Sequence, residues 1–134
     1  MSKKITTKML TDLGACHGQI VKFNELFPEG ANVTIELCVK HAADFDWDWA
    51  VGAFLSRPAL ADYRAAVAPY LEAYKVASAS ALATYGATIS PVRYVSDADM
   101  VHAWDKYRAD VSPSSDAYES AKASAWASAY LSQK

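Results

Sequence analysis

The stretch DFDWDWAVGAFLS, residues 44–56, alternates acidic and aromatic residues and then becomes continuously apolar. A β-strand would keep the alternation beyond Trp49, whereas the AVGAFL that follows fits the spacing of one helical face. Asp46 or Asp48 then caps the helix, because a carboxylate is stabilised by the free N–H groups and the dipole of a first helical turn. The stretch predicts a helix with Trp49 directed inward, while the pattern does not require burial of Trp47.

Helical spacing continues on both sides of this stretch. A helix from Ala15 to the Pro28 stop carries one apolar face, and Asn32 is a predicted N-cap for the next helix. The two predicted faces consist of Cys16, Ile20, Phe23 and Phe27, and of Ile35, Cys38, Val39 and Ala42.

The second half of the chain is rich in Ala, Tyr and Trp. It predicts a long helix that Pro69 kinks and Gly86 ends, followed by a short extended connector at 87–95. Ser96 with Asp99 forms a capping box for the next helix. One face of that helix is predicted to consist of Met100, Trp104, Tyr107 and Val111. Ser112 with Pro113 opens the last helix. We therefore expect an all-α fold, a compact bundle of about five to six helices.

The length of 134 residues, 52% of them hydrophobic, favours a single domain over 1–134. A compositional boundary near Ser56 separates sub-regions 1–56 and 57–134. In the second, Ala117, Ala121, Ala125 and Ala129 recur every four residues. This ridge either allows a close helix approach or reflects the helix propensity of Ala alone.

Charge and composition argue against several classes of partner. The 13 basic and 15 acidic residues nearly cancel and form no run of one sign, which argues against nucleic-acid binding. No apolar run approaches the roughly 20 residues of a membrane span, and no signal peptide is recognisable. Two cysteines in predicted helix cores favour reduced thiols. We expect a cytoplasmic protein that binds neither nucleic acid nor membranes.

Four residues could in principle build a zinc site or supply a reactive thiol: Cys16, His17, Cys38 and His41. The spacing is unfavourable, because adjacent residues on a helix diverge by about 100° and structural zinc draws its ligands from knuckle-spaced pairs. We expect core thiols, with a metal- or thiol-dependent protein as an alternative.

No other motif predicts chemistry. The D-x-D-x-D that starts at Asp44 begins like a calcium loop, but Trp49 and Leu55 stand where that loop requires Gly and Glu. The chain shows no nucleophile elbow, P-loop or dinucleotide fingerprint. We expect no catalytic residue, cofactor or metal, and hence no enzyme.

Aromatic residues are the remaining feature. Sixteen residues are Phe, Trp or Tyr, eight of them Tyr, which tolerates a half-exposed position and is enriched at interfaces. Their display on more than one helical side predicts rings that one small core does not absorb. The candidate partner-binding anchors are Trp47, Tyr63, Tyr70, Tyr74, Trp104 and Trp126.

Residues 9–55 resemble a module of small phage and prophage proteins. The pattern is L-G-A-C at 13–16, F-P-x-G at 27–30 and D-W-x-W at 46–49, followed by Ala-rich helices with recurring Tyr and Trp. The resemblance implies a phage or prophage origin and the host cytoplasm as location. It carries no defined activity for the module, and small phage proteins without catalytic motifs commonly bind and block a host protein.

The leading functional prediction is a non-enzymatic phage-type protein that inhibits a host or anti-phage defence factor by direct binding, as anti-CRISPR proteins do. A second prediction is a structural protein whose Ala ridge and Tyr stripe build a homodimer or larger homo-oligomer. The third is the metal- or thiol-dependent protein based on the Cys and His residues named above.

Overall fold

The structure is a computed structural model that describes residues 3–89 and 96–133. Over these residues the fold is all-α, as predicted, with six helices and one two-stranded sheet. Within residues 3–89 and 96–133, no helix contains an apolar stretch of the length that a membrane span requires. The elements are β1 (Lys4–Ile5), α1 (Thr7–Asp12), α2 (His17–Leu26), β2 (Ala31–Asn32), α3 (Ile35–Lys40), α4 (Trp47–Phe54), α5 (Arg57–Ile89) and α6 (Asp97–Ser132).

The small antiparallel sheet was not predicted. Strand β1 pairs with β2, and the turn before β2 contains Gly30 at φ +91°. A Cβ at Gly30 would lie 2.6 Å from Cε of Lys4 and 2.9 Å from the Ile5 carbonyl oxygen, so only glycine fits this turn. Asn32 therefore lies in a strand and is not the predicted N-cap. Thr34 caps α3 instead, its Oγ1 accepting from the Leu37 N–H at 3.0 Å.

The opening stretch folds as a helix, as predicted. Asp46 is the N-cap of α4, and its Oδ1 accepts a hydrogen bond from the Trp49 N–H at 3.1 Å. The Asp46 N–H donates to Oε1 of Gln19 at 3.0 Å, which ties the start of α4 to α2. The predicted cap of α6 forms as well. In α6, Ser96 Oγ accepts from the Asp99 N–H at 3.2 Å.

The two long helices continue through residues that were predicted to interrupt them. α5 passes Gly86, and α6 passes Pro113, so the predicted helix end and helix start at these positions are wrong. Pro69 lies inside α5 and its kink stays a prediction. Pro69 and Pro113 are both exposed. Because proline has no N–H, the carbonyl four residues before each of them lacks its helical donor, and this carbonyl lies on a solvent-facing side of the helix.

The predicted connector at 87–95 is wrong over residues 87–89, which are helical. Residues 90–95 lie outside the described part of the chain. Cys16 was predicted in a helix core, but it is the exposed N-cap of α2, whereas Cys38 on α3 is buried as expected.

The chain divides into two compact units, and each is described by itself. The first, here the mixed unit, consists of residues 1–67 with 119–134, and the second, here the hairpin unit, of residues 68–118. The prediction of one domain stays a prediction.

The mixed unit is built around the last turns of α6. Ala123 and Ala127 have no exposed surface, and Trp126 is 3% exposed. Ala125 and Ala129 of the predicted ridge are buried as well, so this segment is covered on most of its sides, as a helix does at the centre of a core. Small side chains at such positions allow neighbouring backbones to approach closely.

Polar contacts fasten the end of α6 inside the mixed unit. The Gln133 side chain donates from Nε2 to the Phe54 carbonyl at 2.6 Å and accepts from the Ser56 N–H at 2.9 Å. Lys3 Nζ donates to the Tyr130 and Gln133 carbonyls, at 2.5 and 2.7 Å. These carbonyls lie in the last turn of α6 and just beyond its end, where a cation is favoured by the helix dipole.

The hairpin unit contains the second part of α5 and the first part of α6. Tyr74 stacks on Tyr118 with ring centroids 5.8 Å apart, and Tyr85 contacts Tyr107 at 6.3 Å. The second pair lies eleven residues further along α5 and eleven residues earlier on α6. The two segments therefore run antiparallel with a constant register, as in an αα-hairpin.

Candidate protein-binding surface and apolar pocket

The structure places three of the six candidate anchors in the core. Trp47 and Tyr63 are each 6% exposed and Trp126 is 3% exposed, all in the mixed unit. The prediction that these rings face solvent is wrong. Trp47 is held by a hydrogen bond from its Nε1 to the Ala42 carbonyl at 2.9 Å and packs on the Trp126 ring at 5.5 Å.

The two tryptophans of the opening stretch exchange their expected places. Trp47 is the inward ring, while Trp49 is half-buried and contacts Phe54 edge to face at 5.9 Å. Trp47 is the one buried residue of α4, while Ala50, Val51 and Phe54 on the same side of the helix are half-buried. The partners that select this face, Ala42 and Trp126, are outside the stretch itself.

The other three candidates lie in the hairpin unit. Tyr70 is 47% and Trp104 45% exposed, while Tyr74 is half-buried by its stacking on Tyr118. Of the predicted anchors, only Tyr70 and Trp104 therefore present a large ring to solvent.

Trp104 is exposed but fixed in orientation. Its ring stacks on Tyr107, one helical turn later, with centroids 5.1 Å apart and planes at 15°. Tyr85 from α5 meets it edge to face at 5.9 Å, and the Arg108 guanidinium lies 5.9 Å from its centroid. Arg108 is held in turn by Asp105 at 2.7 Å. The ring is thus packed against three neighbours and leaves nearly half of its surface free.

Two exposed apolar side chains on α6 adjoin this cluster in sequence. Met100 lies one turn before Trp104 and is 43% exposed, and Val101 is 59% exposed. We call the set the Trp104 surface: Tyr85, Met100, Val101, Trp104, Tyr107 and Arg108. Sequence reasoning placed Met100, Trp104 and Tyr107 on one face but missed Tyr85 and Arg108. The Trp-x-x-x-Arg spacing is the signal for Arg108, since residues four apart are neighbours on a helix.

A second feature is an apolar pocket inside the mixed unit. A partly open cavity of about 90 Å³ lies among β1, β2, the four short helices and the end of α6. Seven of its lining side chains are Phe or Trp rings, and most of the contacting pairs meet at angles above 50°: Phe23, Phe27, Phe45, Trp47, Trp49, Phe54 and Trp126. An empty cavity of this size would cost about 2 kcal/mol, at roughly 24 cal/mol per Å³. No sequence pattern indicates this cavity, because it depends on the orientations of the rings.

The cysteines and histidines are not gathered into one site. Among residues 3–89 and 96–133 no group of three or more His, Cys, Asp or Glu side chains is placed to hold a metal ion. Burial raises the pKa of the Cys38 thiol to about 11, which disfavours the thiolate that nucleophilic or ligand chemistry requires. His41 lies on the same pocket wall, and its Nδ1 is 2.8 Å from Asp44 Oδ2.

Comparisons with known proteins add no relative. No family model matches the sequence, and neither characterised proteins nor solved structures gave a significant match. The functional argument therefore depends on the geometry of this chain.

Proposed function

We propose that the protein acts without catalysis, by binding another protein through the Trp104 surface, and that the partner is a host or anti-phage defence protein such as a CRISPR effector. The observation that supports binding is a tryptophan 45% exposed yet held by Tyr85, Tyr107 and Arg108. The identity of the partner follows only from the resemblance of residues 9–55 to phage proteins.

The composition and rigidity of the Trp104 surface both suit a binding anchor. Residues that dominate binding energy at interfaces are enriched in Trp, Tyr and Arg, the three residue types that meet here. Because neighbouring rings already fix the Trp104 side chain, little rotational freedom is lost when a partner covers it. An exposed, preorganised aromatic surface therefore gains more net free energy on binding than a mobile one.

The hairpin geometry also supports self-association as a second candidate function. Besides Met100 and Val101 on α6, α5 exposes Val76 at 63% and Leu82 at 58%. Two such hairpins packed together would form a four-helix bundle, a common arrangement for helices with an unpaired apolar face. The partner would then be a second copy of the chain.

A pair of variants tests binding through this surface. Trp104→Ala removes the anchor, which is 45% exposed, and Leu13→Ala removes a side chain of nearly the same exposure, 46%, from the mixed unit. Affinity capture from lysate of the host, followed by calorimetric titration of the captured protein, measures both. We expect Trp104→Ala to weaken binding by about 30-fold or more, as a residue worth about 2 kcal/mol does, while Leu13→Ala leaves it unchanged.

Sedimentation of the purified protein separates the two candidates. A mass that rises with concentration, and that Trp104→Ala returns to the monomer value, supports self-association. A monomer together with a host protein whose capture depends on Trp104 supports the leading proposal. Equal capture by the wild type and Trp104→Ala would overturn it, provided that circular dichroism shows both to be folded.

A further inference from the structure

The pocket of the mixed unit is independent of the Trp104 surface. Its lining comes from residues 5–54 and from Trp126, all of which belong to the mixed unit. Protein interiors are normally close-packed, with few voids larger than a water molecule. An opening among aromatic rings is therefore a place where another molecule gains contacts that the chain does not supply.

Most polar side chains at the pocket are already engaged with the protein; the exception is the Trp126 Nε1–H, which is buried and has no hydrogen-bond partner among the described residues. Gln19 Oε1 accepts from the Asp46 N–H, Asp46 Oδ1 accepts from the Trp49 N–H, and the Trp47 Nε1–H is bonded to the Ala42 carbonyl. The surface that the lining residues present to the cavity consists almost wholly of carbon atoms. A charged ligand would lose its hydration there with at most one indole N–H, that of Trp126, to compensate, whereas an apolar ligand would only lose unfavourable contact with water.

The volume limits the size of the ligand. An apolar cavity of about 150 Å³ in another protein holds benzene or xenon. The present cavity, at about 90 Å³, is smaller and partly open. A monatomic or short-chain apolar group fits within it, and a benzene ring is at its upper limit.

We propose that the cavity among Phe23, Phe27, Phe45, Trp47, Phe54 and Trp126 is a binding site for a small uncharged apolar ligand, or the apolar end of a longer one, of about three to six carbon atoms. The chemistry is that of a hydrocarbon or small aromatic compound. No catalytic step is involved.

The four tryptophans provide an assay with an internal control. Trp47, Trp49 and Trp126 line the pocket, whereas Trp104 belongs to the hairpin unit. Each indole N–H gives its own peak in a ¹H–¹⁵N correlation spectrum. We expect xenon under pressure, and benzene, to shift the three pocket peaks saturably and leave that of Trp104 in place. Naphthalene, as an oversized probe, and tetramethylammonium, as a cationic probe, should shift none of them.

Two substitutions test the location of binding. Ala50→Leu places three more carbon atoms in the cavity wall and should weaken xenon and benzene binding by at least tenfold. Its matched control, Ala61→Leu, lies on exposed surface of the same unit and should bind as the wild type does. Phe27→Leu enlarges the pocket and should admit naphthalene, which gives a test that does not depend on the folding of Ala50→Leu.

The outcomes decide the proposal in either direction. Saturable shifts confined to the three pocket peaks, weakened in Ala50→Leu and extended to naphthalene in Phe27→Leu, would support it. Equal binding by Ala50→Leu and the wild type, shifts that include Trp104, or a preference for tetramethylammonium would overturn it. Because the Trp104 surface is not involved, none of these results bears on the proposed protein binding.

Discussion

The burial of Trp47 leads to a quantitative prediction. The ring is 6% exposed, packs on Trp126 and donates a hydrogen bond to the Ala42 carbonyl. Replacing a buried Trp with Ala typically costs about 3–5 kcal/mol, because the transfer free energy of the ring is lost and a cavity remains. We expect Trp47→Ala to lower the free energy of unfolding by about that amount, measured by urea denaturation with far-ultraviolet circular dichroism.

Two further variants separate the contributions. Trp47→Phe keeps a ring but removes the N–H, leaving the Ala42 carbonyl without its donor, and should cost about 1–3 kcal/mol. Trp104→Ala is the matched control, since it removes the same side chain from a position that is 45% exposed, and should cost about 1 kcal/mol or less. If Trp47→Ala were no more destabilising than Trp104→Ala, the packing described for the mixed unit would be refuted.

Three other predictions concern single polar groups. Native protein at pH 8 should react with a thiol reagent at Cys16 only. Cys38 is buried, and its pKa of about 11 leaves roughly 0.1% of this thiol as thiolate. In urea both thiols should react. Burial opposes the charge of Lys122, but Glu119 and Asp48 outweigh it and raise the pKa of Lys122. The charged form therefore stabilises the fold at neutral pH, and this stabilisation is lost as the pH rises beyond about 10.5. The difference in unfolding free energy between the wild type and Lys122→Met should shrink above that pH. Gln133→Ala removes two hydrogen bonds and should lower the free energy of unfolding, measured by urea denaturation, by about 1–3 kcal/mol. Gln133→Glu should retain the hydrogen bond from the Ser56 N–H and lose less unfolding free energy.

The helix starts at Asp46 and Ser96 could be predicted because their causes are local. In each case the capping side chain accepts a hydrogen bond from a backbone N–H only three residues away. The fold class followed for a similar reason, since apolar spacing of three and four residues is a property of short windows of sequence.

Predictions failed where the deciding partner is distant in sequence. The choice between Trp47 and Trp49 as the inward ring depends on Trp126, and the pairing of β1 with β2 joins residues about 27 positions apart. Pro113 was misjudged because solvent exposure of the helix side around it was not visible in the sequence. The candidate site shows the same division: Trp104 and Tyr107 lie one turn apart and were grouped correctly, but Tyr85 comes from the other helix.

The aromatic surplus inferred from composition holds for one unit and not for the other. In the mixed unit several elements surround the end of α6, so Trp47, Tyr63 and Trp126 all find apolar cover. In the described part of the hairpin unit there are only two helices, and each can bury only the face it turns to the other. A ring at the edge of that shared face, such as Trp104, is fixed on one side and open on the other. Exposure there follows from the number of helices rather than from the number of rings, and a third helix or a partner protein is what would cover it.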